Sequence, residues 1–93
     1  MGLIFEWDGA KASSNFRKHA VTFEEAVNVF EDSLSLTIPD PQHSKNEERF
    51  VIIGRSHRGR TLVVVHTERG DRIRIISARL PTPRERRQYE EGY

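Results

Sequence analysis

Three apolar runs lie almost end to end: RFVIIGRS, RTLVVVHTE and DRIRIISAR. The connectors between them are HRG (57–59) and RG (69–70), too short for anything but β-hairpins. The second half of the chain is therefore committed to an antiparallel meander before any other element is placed. Both connectors end in glycine. A type I′ turn over Arg69-Gly70 would push Arg69 to positive φ, which a residue with a Cβ resists. A type I turn over Thr67–Gly70, with Gly70 left-handed as a G1 bulge, asks this only of the glycine. Ser56–Gly59 has the same form, so the bulge register is expected for both turns.

Register decides which side chains share a face. In the bulge register Thr67 faces Asp71, so Val65 pairs with Ile73 and Val63 with Ile75. Ser56 faces Arg60, so Ile53 pairs with Val63 and Val51 with Val65. One side becomes an apolar wall of Val51, Ile53, Val63, Val65, Ile73 and Ile75, to be covered by two N-terminal helices. The other side carries Phe50, Ile52, Leu62, Val64 and Ile76, with His66, Arg72 and Arg74 beside them as a basic cleft. The C-terminal helix is expected to cover part of this second side. Parity puts Arg79 on the wall side.

The first half reads as strand, helix, helix, strand. FEWD (5–8) is a short strand ending at Asp8, a side chain suited to cap a helix. That helix is expected to run to about His19, with Ala12, Phe16 and His19 on one face. Thr22 and Glu25 have capping-box spacing, and Phe23, Ala26, Val27 and Phe30 form an apolar stripe behind them. LSLTI (34–38) alternates as a strand, and PDPQHSKNEE (39–48) is a polar loop. The chain closes on a third helix: Thr82 as cap, Pro83 at its first position, Glu85 completing a second capping box.

With 93 residues, a single domain over 1–93 is expected. The absence of cysteine excludes disulfides and thiolate metal sites. No apolar run approaches a membrane span, and MGLIFEWDGAK has no basic segment followed by a long apolar run, so a cytoplasmic protein without membrane contact is expected. The net charge of +1 hides an uneven distribution. Residues 1–54 hold five cations against nine acids, a net of −4; residues 55–93 hold ten arginines against five acids, a net of +5. The rigid arginine fork suits phosphate and carboxylate, so a polyanionic partner fits the second half.

On these residues two classes of function stand side by side: an RNA-cleaving enzyme, and a module that binds nucleic acid or an acidic protein without cutting. For cleavage, His66, Arg74, Arg79 and Glu48 are the candidate catalytic groups. A base activates the ribose 2′-OH, arginines stabilise the added charge, and an acid protonates the leaving oxygen. Arg72, Arg55, Arg58, Lys18 and Phe50 are the candidate RNA-binding residues, Phe50 as a base-stacking floor. Glu47 and Glu48 also read as partners for arginines on neighbouring strands. His19, His43, His57 and His66 are dispersed and show no metal-ligand spacing, so neither a metal nor another cofactor is expected.

The segments FEWDGAKASSNFRKHAVTFEEAVNVF, EERFVIIGRS, GRTLVVVHTERGDRIRIISAR and PRERRQYEEG, in that order, resemble the BrnT family of toxins. The resemblance covers nearly the whole chain. It implies a RelE-like α+β fold: an antiparallel sheet of about four strands, two N-terminal helices on one face, and a C-terminal helix. It implies a metal-independent endoribonuclease toxin of a type II toxin–antitoxin pair that arrests growth. It implies a cognate BrnA-type antitoxin, contact with operator DNA only through that antitoxin, and a toxin dimer within a heterotetramer. KHA (18–20) stands where the family usually has Lys-His-Gly. If the left-handed geometry is kept there, Ala20 costs about 1 kcal/mol relative to glycine.

Overall fold

The computed structural model describes residues 2–40 and 47–92. Its elements run β1 (Ile4–Glu6), α1 (Gly9–His19), α2 (Phe23–Val27), a 3₁₀ turn (Asn28–Glu31), β2 (Leu36–Pro39), β3 (Arg49–Arg55), β4 (Thr61–Arg69), β5 (Arg72–Arg79) and α3 (Pro83–Glu91). The polar loop expected over 39–48 lies partly outside the described residues, His43 with it.

The sheet has five strands in the order β1-β5-β4-β3-β2. It is mixed rather than antiparallel, because β1 pairs with β5 in parallel, Phe5 opposite Ile73 and Glu6 opposite Arg74. The FEWD strand thus joins the sheet as a fifth member, next to the last strand.

The first hairpin follows the bulge register. Ile53 pairs with Val63 and Val51 with Val65, and Ser56 and Arg60 meet across the turn through a 2.9 Å hydrogen bond. Gly59 is left-handed at φ 82°. The second hairpin does not follow it. Arg69 pairs with Arg72, leaving Gly70-Asp71 as a two-residue loop with Gly70 at φ 65°. Glycine at the first loop position and no left-handed Asp71 is the pattern of a type II′ turn. His66 then faces Ile75, and the ladder shifts so that Val65 faces Ser77 and Val64 faces Ala78. Ile76 is the extra residue of a β-bulge.

This changes which face is which. The core under α1, α2 and the 3₁₀ turn is Ile52, Leu62, Val64, Ile73, Ile75 and Ala78, packed on Val21, Phe23, Ala26 and Val29. Of the expected wall, only Ile73 and Ile75 lie beneath the N-terminal helices. Val51, Ile53, Val63 and Val65 belong to the opposite side, where α3 packs against β3. The physical cause is spacing: Ile73, Ile75 and Ala78 can share a buried face only if one residue is inserted after Ile75.

The helices start as their sequences specify. The Asp8 side chain accepts from the Lys11 N–H at 3.0 Å, and Thr82 and Glu85 form both halves of a capping box. Thr22 caps α2 by accepting from the Glu25 N–H, but the Glu25 carboxylate does not reach back. It takes Arg60 bidentately at 2.8 and 2.6 Å and the Ser56 hydroxyl at 2.7 Å, tying α2 to the first hairpin. The Arg60 contacts hold the Glu25 carboxyl below the usual carboxylate range. On α1 the Ala12–Phe16–His19 face is not the buried one; Phe16 is exposed and Asn15 is buried. The Asn15 amide accepts from the Ala78 N–H at 3.0 Å and donates to the Ala78 carbonyl at 2.8 Å, so it completes the β5 edge as a strand would. Ala20 ends α1 in the left-handed region at φ 57°.

Candidate functional site

The side of the sheet away from α1 and α2 can be read as rows across the strands. At one end Arg69 faces Arg72, and Arg72 lies beside Ile4. The next row is Arg49, Thr67, Arg74 and Glu6, from β3 to β1. A third row is apolar in the middle: Ile38, Val51 and Val65, ending at Ser77. The fourth is Leu36, Ile53, Val63 and Arg79. Arginines therefore flank an apolar strip on both sides. Where the strip is open, Asp40, Arg49, Val51, Val65, Ile76, Ser77 and Arg79 line a cleft of ≈ 280 Å³.

The bulge at Ile76 builds this face. Before it, Arg72 and Arg74 point away from the core; after it, Ser77 and Arg79 do. In an uninterrupted strand Arg79 would share the face of Ile73 and Ile75, as parity predicted. The inserted residue moves Arg79 to the arginine side.

The arginines differ in how firmly they are held. Arg79 grips both Glu85 oxygens, at 2.8 and 2.9 Å. That contact, with the Thr82 backbone N–H, holds the Glu85 carboxyl at about 2. Arg69 pairs with Glu47, Nε to Oε2 at 2.9 Å. Arg72 and Arg74 meet Glu6 at 3.2 and 3.7 Å with more than a third of each arginine side chain in solvent. Exposed pairs of this kind contribute roughly 0–1 kcal/mol, so a phosphate can replace the acid at little cost. The Thr67 hydroxyl, between Arg49 and Arg74 in register, is buried and has no hydrogen-bond partner.

His66 is not part of this face. It is 1 % exposed and points into the helix-covered core, edge-on to Phe30 at 4.9 Å and stacked on Phe50 at 5.9 Å. Its Nε2 meets Glu68 Oε2 at 3.0 Å, and its Nδ1 has no partner. The sheet itself separates it from Arg72 and Arg74, so the expected His66–Arg72–Arg74 cluster does not form. The reason is the type II′ turn, which puts His66 opposite Ile75 instead of beside the arginines. Phe50 goes with His66 to the core side and is no floor for the arginine face.

The remaining candidates are scattered. Arg55 and Arg58 lie at the far end of the sheet, where the Arg55 N–H donates to Asp32 Oδ2 and the Arg58 guanidinium stands 3.6 Å from Glu25. There the Tyr89 hydroxyl donates to Asp32 at 2.5 Å, fastening α3 to the loop before β2. Burial, with that bond to Asp32, pushes the Tyr89 phenol up. Glu48 is exposed just before β3 and does not line the cleft. Lys18 lies on α1, in a groove of its own. Arg49, Asp40, Thr67 and Ser77 were missed. Gly70 followed by Asp71, which suits a II′ turn, was the signal that would have brought Arg49, Thr67 and Arg74 into one row.

Among the described residues, no three His, Asp or Glu side chains converge as a metal set would require. No helix among them is long and apolar enough to cross a membrane. The family model for the BrnT ribonuclease toxin of type II toxin–antitoxin systems matches residues 7–85. Among solved structures, the chain is similar to the crystal structure of the Brucella abortus ribonuclease toxin BrnT. The two share 26 % identity with a TM-score of 0.66 over 88 % of this chain and 97 % of that one. A search of curated protein sequences returns no match.

Proposed function

Because the chain belongs to the BrnT family of type II ribonuclease toxins, we propose that it is an endoribonuclease whose RNA lies across the arginine face of the sheet. The observation that carries this reading is the cleft in which Arg49 and Arg79 stand on either side of Val51 and Val65, with Asp40 at its rim. Bases fit the apolar strip and phosphates fit the arginine rows.

The chemistry follows from that placement. Cleavage needs the 2′-OH to lose a proton as its oxygen attacks phosphorus, and the 5′-oxygen to gain one as it leaves. The products are a 2′,3′-cyclic phosphate and a 5′-hydroxyl. Negative charge builds on the phosphoryl oxygens, and guanidinium forks beside the cleft stabilise it. Arg49, which lines the cleft, and Arg74, in the same row two strands away, take this role. Arg79 is held by Glu85 and sets the cleft wall. Asp40 is the carboxylate that lines the cleft, and it takes the place of His66 and Glu48 as the general base. This scheme uses no metal ion.

The same surface accounts for control. An antitoxin that lays an acidic segment on the arginine rows blocks RNA and neutralises the toxin. Expression of the free protein then arrests growth. The test is incubation of the purified protein with total RNA in EDTA, in parallel with Arg49→Ala and Arg74→Ala. Cleavage by the wild type and its loss in folded variants is the expected result. A folded wild type that binds RNA and leaves it intact would make the protein a binding module instead.

A further inference from the structure

A second basic feature lies around the corner from the cleft. β1 pairs only with Arg72–Arg74, so the outer edge of β5 beyond Arg74 has no strand beside it. α1 packs there instead, with the Asn15 amide closing the edge at Ala78. Between helix and edge runs a groove of ≈ 260 Å³ lined by Lys11, Ser14, Asn15, Lys18, His19, Ile76 and Ser77.

Three observations make this groove more than a gap. It adjoins the cleft, since Ile76 and Ser77 line both. The groove is also cationic with no acid in its lining. α1 itself contains no Asp or Glu, and Asp8 is engaged as the helix cap. Finally, Arg69, Arg72, Arg74 and Arg79 each have an acidic partner, whereas no ion pair among the described residues engages Lys11 or Lys18. Seven residues apart, the two lysines share a helix face about 10 Å apart at 1.5 Å per residue, a separation at which each can meet a phosphate of its own.

We propose that the α1–β5 groove is a second RNA subsite, in which Lys11 and Lys18 each hold a phosphate of the nucleotides flanking those in the cleft. The proposal rests on the RNA reading of the arginine face. It assigns the lysines to binding and leaves the chemistry to the cleft, so the RNA strand turns over the β5 edge at the Ile76 bulge.

The test is the double variant Lys11→Gln/Lys18→Gln, in which glutamine keeps the helix propensity while removing both charges. Two substrates are compared, a dinucleotide that fills only the cleft and a single-stranded 12-mer that reaches the groove. The expected result is a KM for the 12-mer raised about tenfold with kcat unchanged, and unaltered kinetics on the dinucleotide. In titrations of a non-cleavable 2′-deoxy 12-mer, the slope of log K against log salt should fall in magnitude by about 1.4, the value for two single-strand phosphates. Unchanged 12-mer affinity and slope would overturn the proposal. So would a variant that keeps RNA affinity but loses the antitoxin, which would make the groove a protein-docking surface. If the wild type cuts no RNA, the function reading fails separately, and the salt slope still decides the groove.

Discussion

The two faces of the sheet are built from the same strands, yet they hold polar groups by different rules. On the helix side polar groups are buried and mostly saturated: the Asn15 amide bonds Ala78 and Val21, and Glu25 bonds Arg60 and Ser56. Desolvation makes such groups costly unless bonded, so they serve structure. On the arginine side Arg72 and Arg74 sit in loose, exposed pairs with Glu6. Those pairs contribute little and can be exchanged for a ligand. A polar residue's role here follows from its face, and a one-residue change of register moves it from one role to the other. His66 shows this: it keeps its chemistry but lies among Phe30 and Phe50.

The sharpest way to break this comparison is to alter one polar group on each face. Arg74→Ala should cut RNA cleavage by about 100- to 1,000-fold with the melting temperature nearly unchanged. His66→Phe should leave the cleavage rate of the folded protein unaltered, because an apolar ring of similar shape is close to neutral where one nitrogen already lacks a partner. The reverse pattern would return His66 to the site. Next in size is Asn15→Ala, which strands the Ala78 N–H and two carbonyls in the interior. A loss of about 3 kcal/mol in denaturant unfolding is expected; a loss below ~1 kcal/mol would show that the clip is dispensable.

Gly54 probes the helix face at close range. A Cβ there would lie 3.1 Å from the Val29 Cβ and 3.2 Å from the Val29 carbonyl oxygen. Gly54→Ala should cost about 1–3 kcal/mol through overpacking, read as a lower urea midpoint. On the arginine face the Arg79–Glu85 pair sets an acid limit. Glu85 titrates at about 2, below its ordinary value of 4.5. Its contribution is therefore complete above pH 4.5 and is lost as pH falls toward 2. Discounted for the partial exposure of Arg79, it is about 1 kcal/mol, and Glu85→Gln should flatten the fall in melting temperature over that range. The smallest effect lies outside both faces. Ala20→Gly should raise stability by up to about 1 kcal/mol, because Ala20 holds φ 57°. A lower melting temperature would mean that the Ala20 methyl makes a contact worth more than the strain.

The residues explain why part of this was legible and part was not. Asp8, Thr22 and Thr82 announce their helices because capping is local chemistry. SHRG gave the right register for β3 and β4, and the Ser56 hydroxyl supports that turn by accepting from the Arg58 N–H at 3.2 Å. TERG looks the same but is followed by Asp71, and the chain turns two residues later. Glu25 has the spacing of a capping box and is taken instead by Arg60, thirty-five residues away.

By itself, the sequence determined the hairpins, the helix starts and the arginine-rich character of the second half. All of these depend on neighbours in the chain. Only the tertiary structure decided which face the helices cover, and with it the membership of the site. That choice is made by the core. Burying Ile73, Ile75 and Ala78 together under α1 and α2 gains more than an unbroken ladder does, so β5 bulges at Ile76. The bulge brings Ser77 and Arg79 to the side of Arg49 and Arg74, and the type II′ turn sends His66 inward.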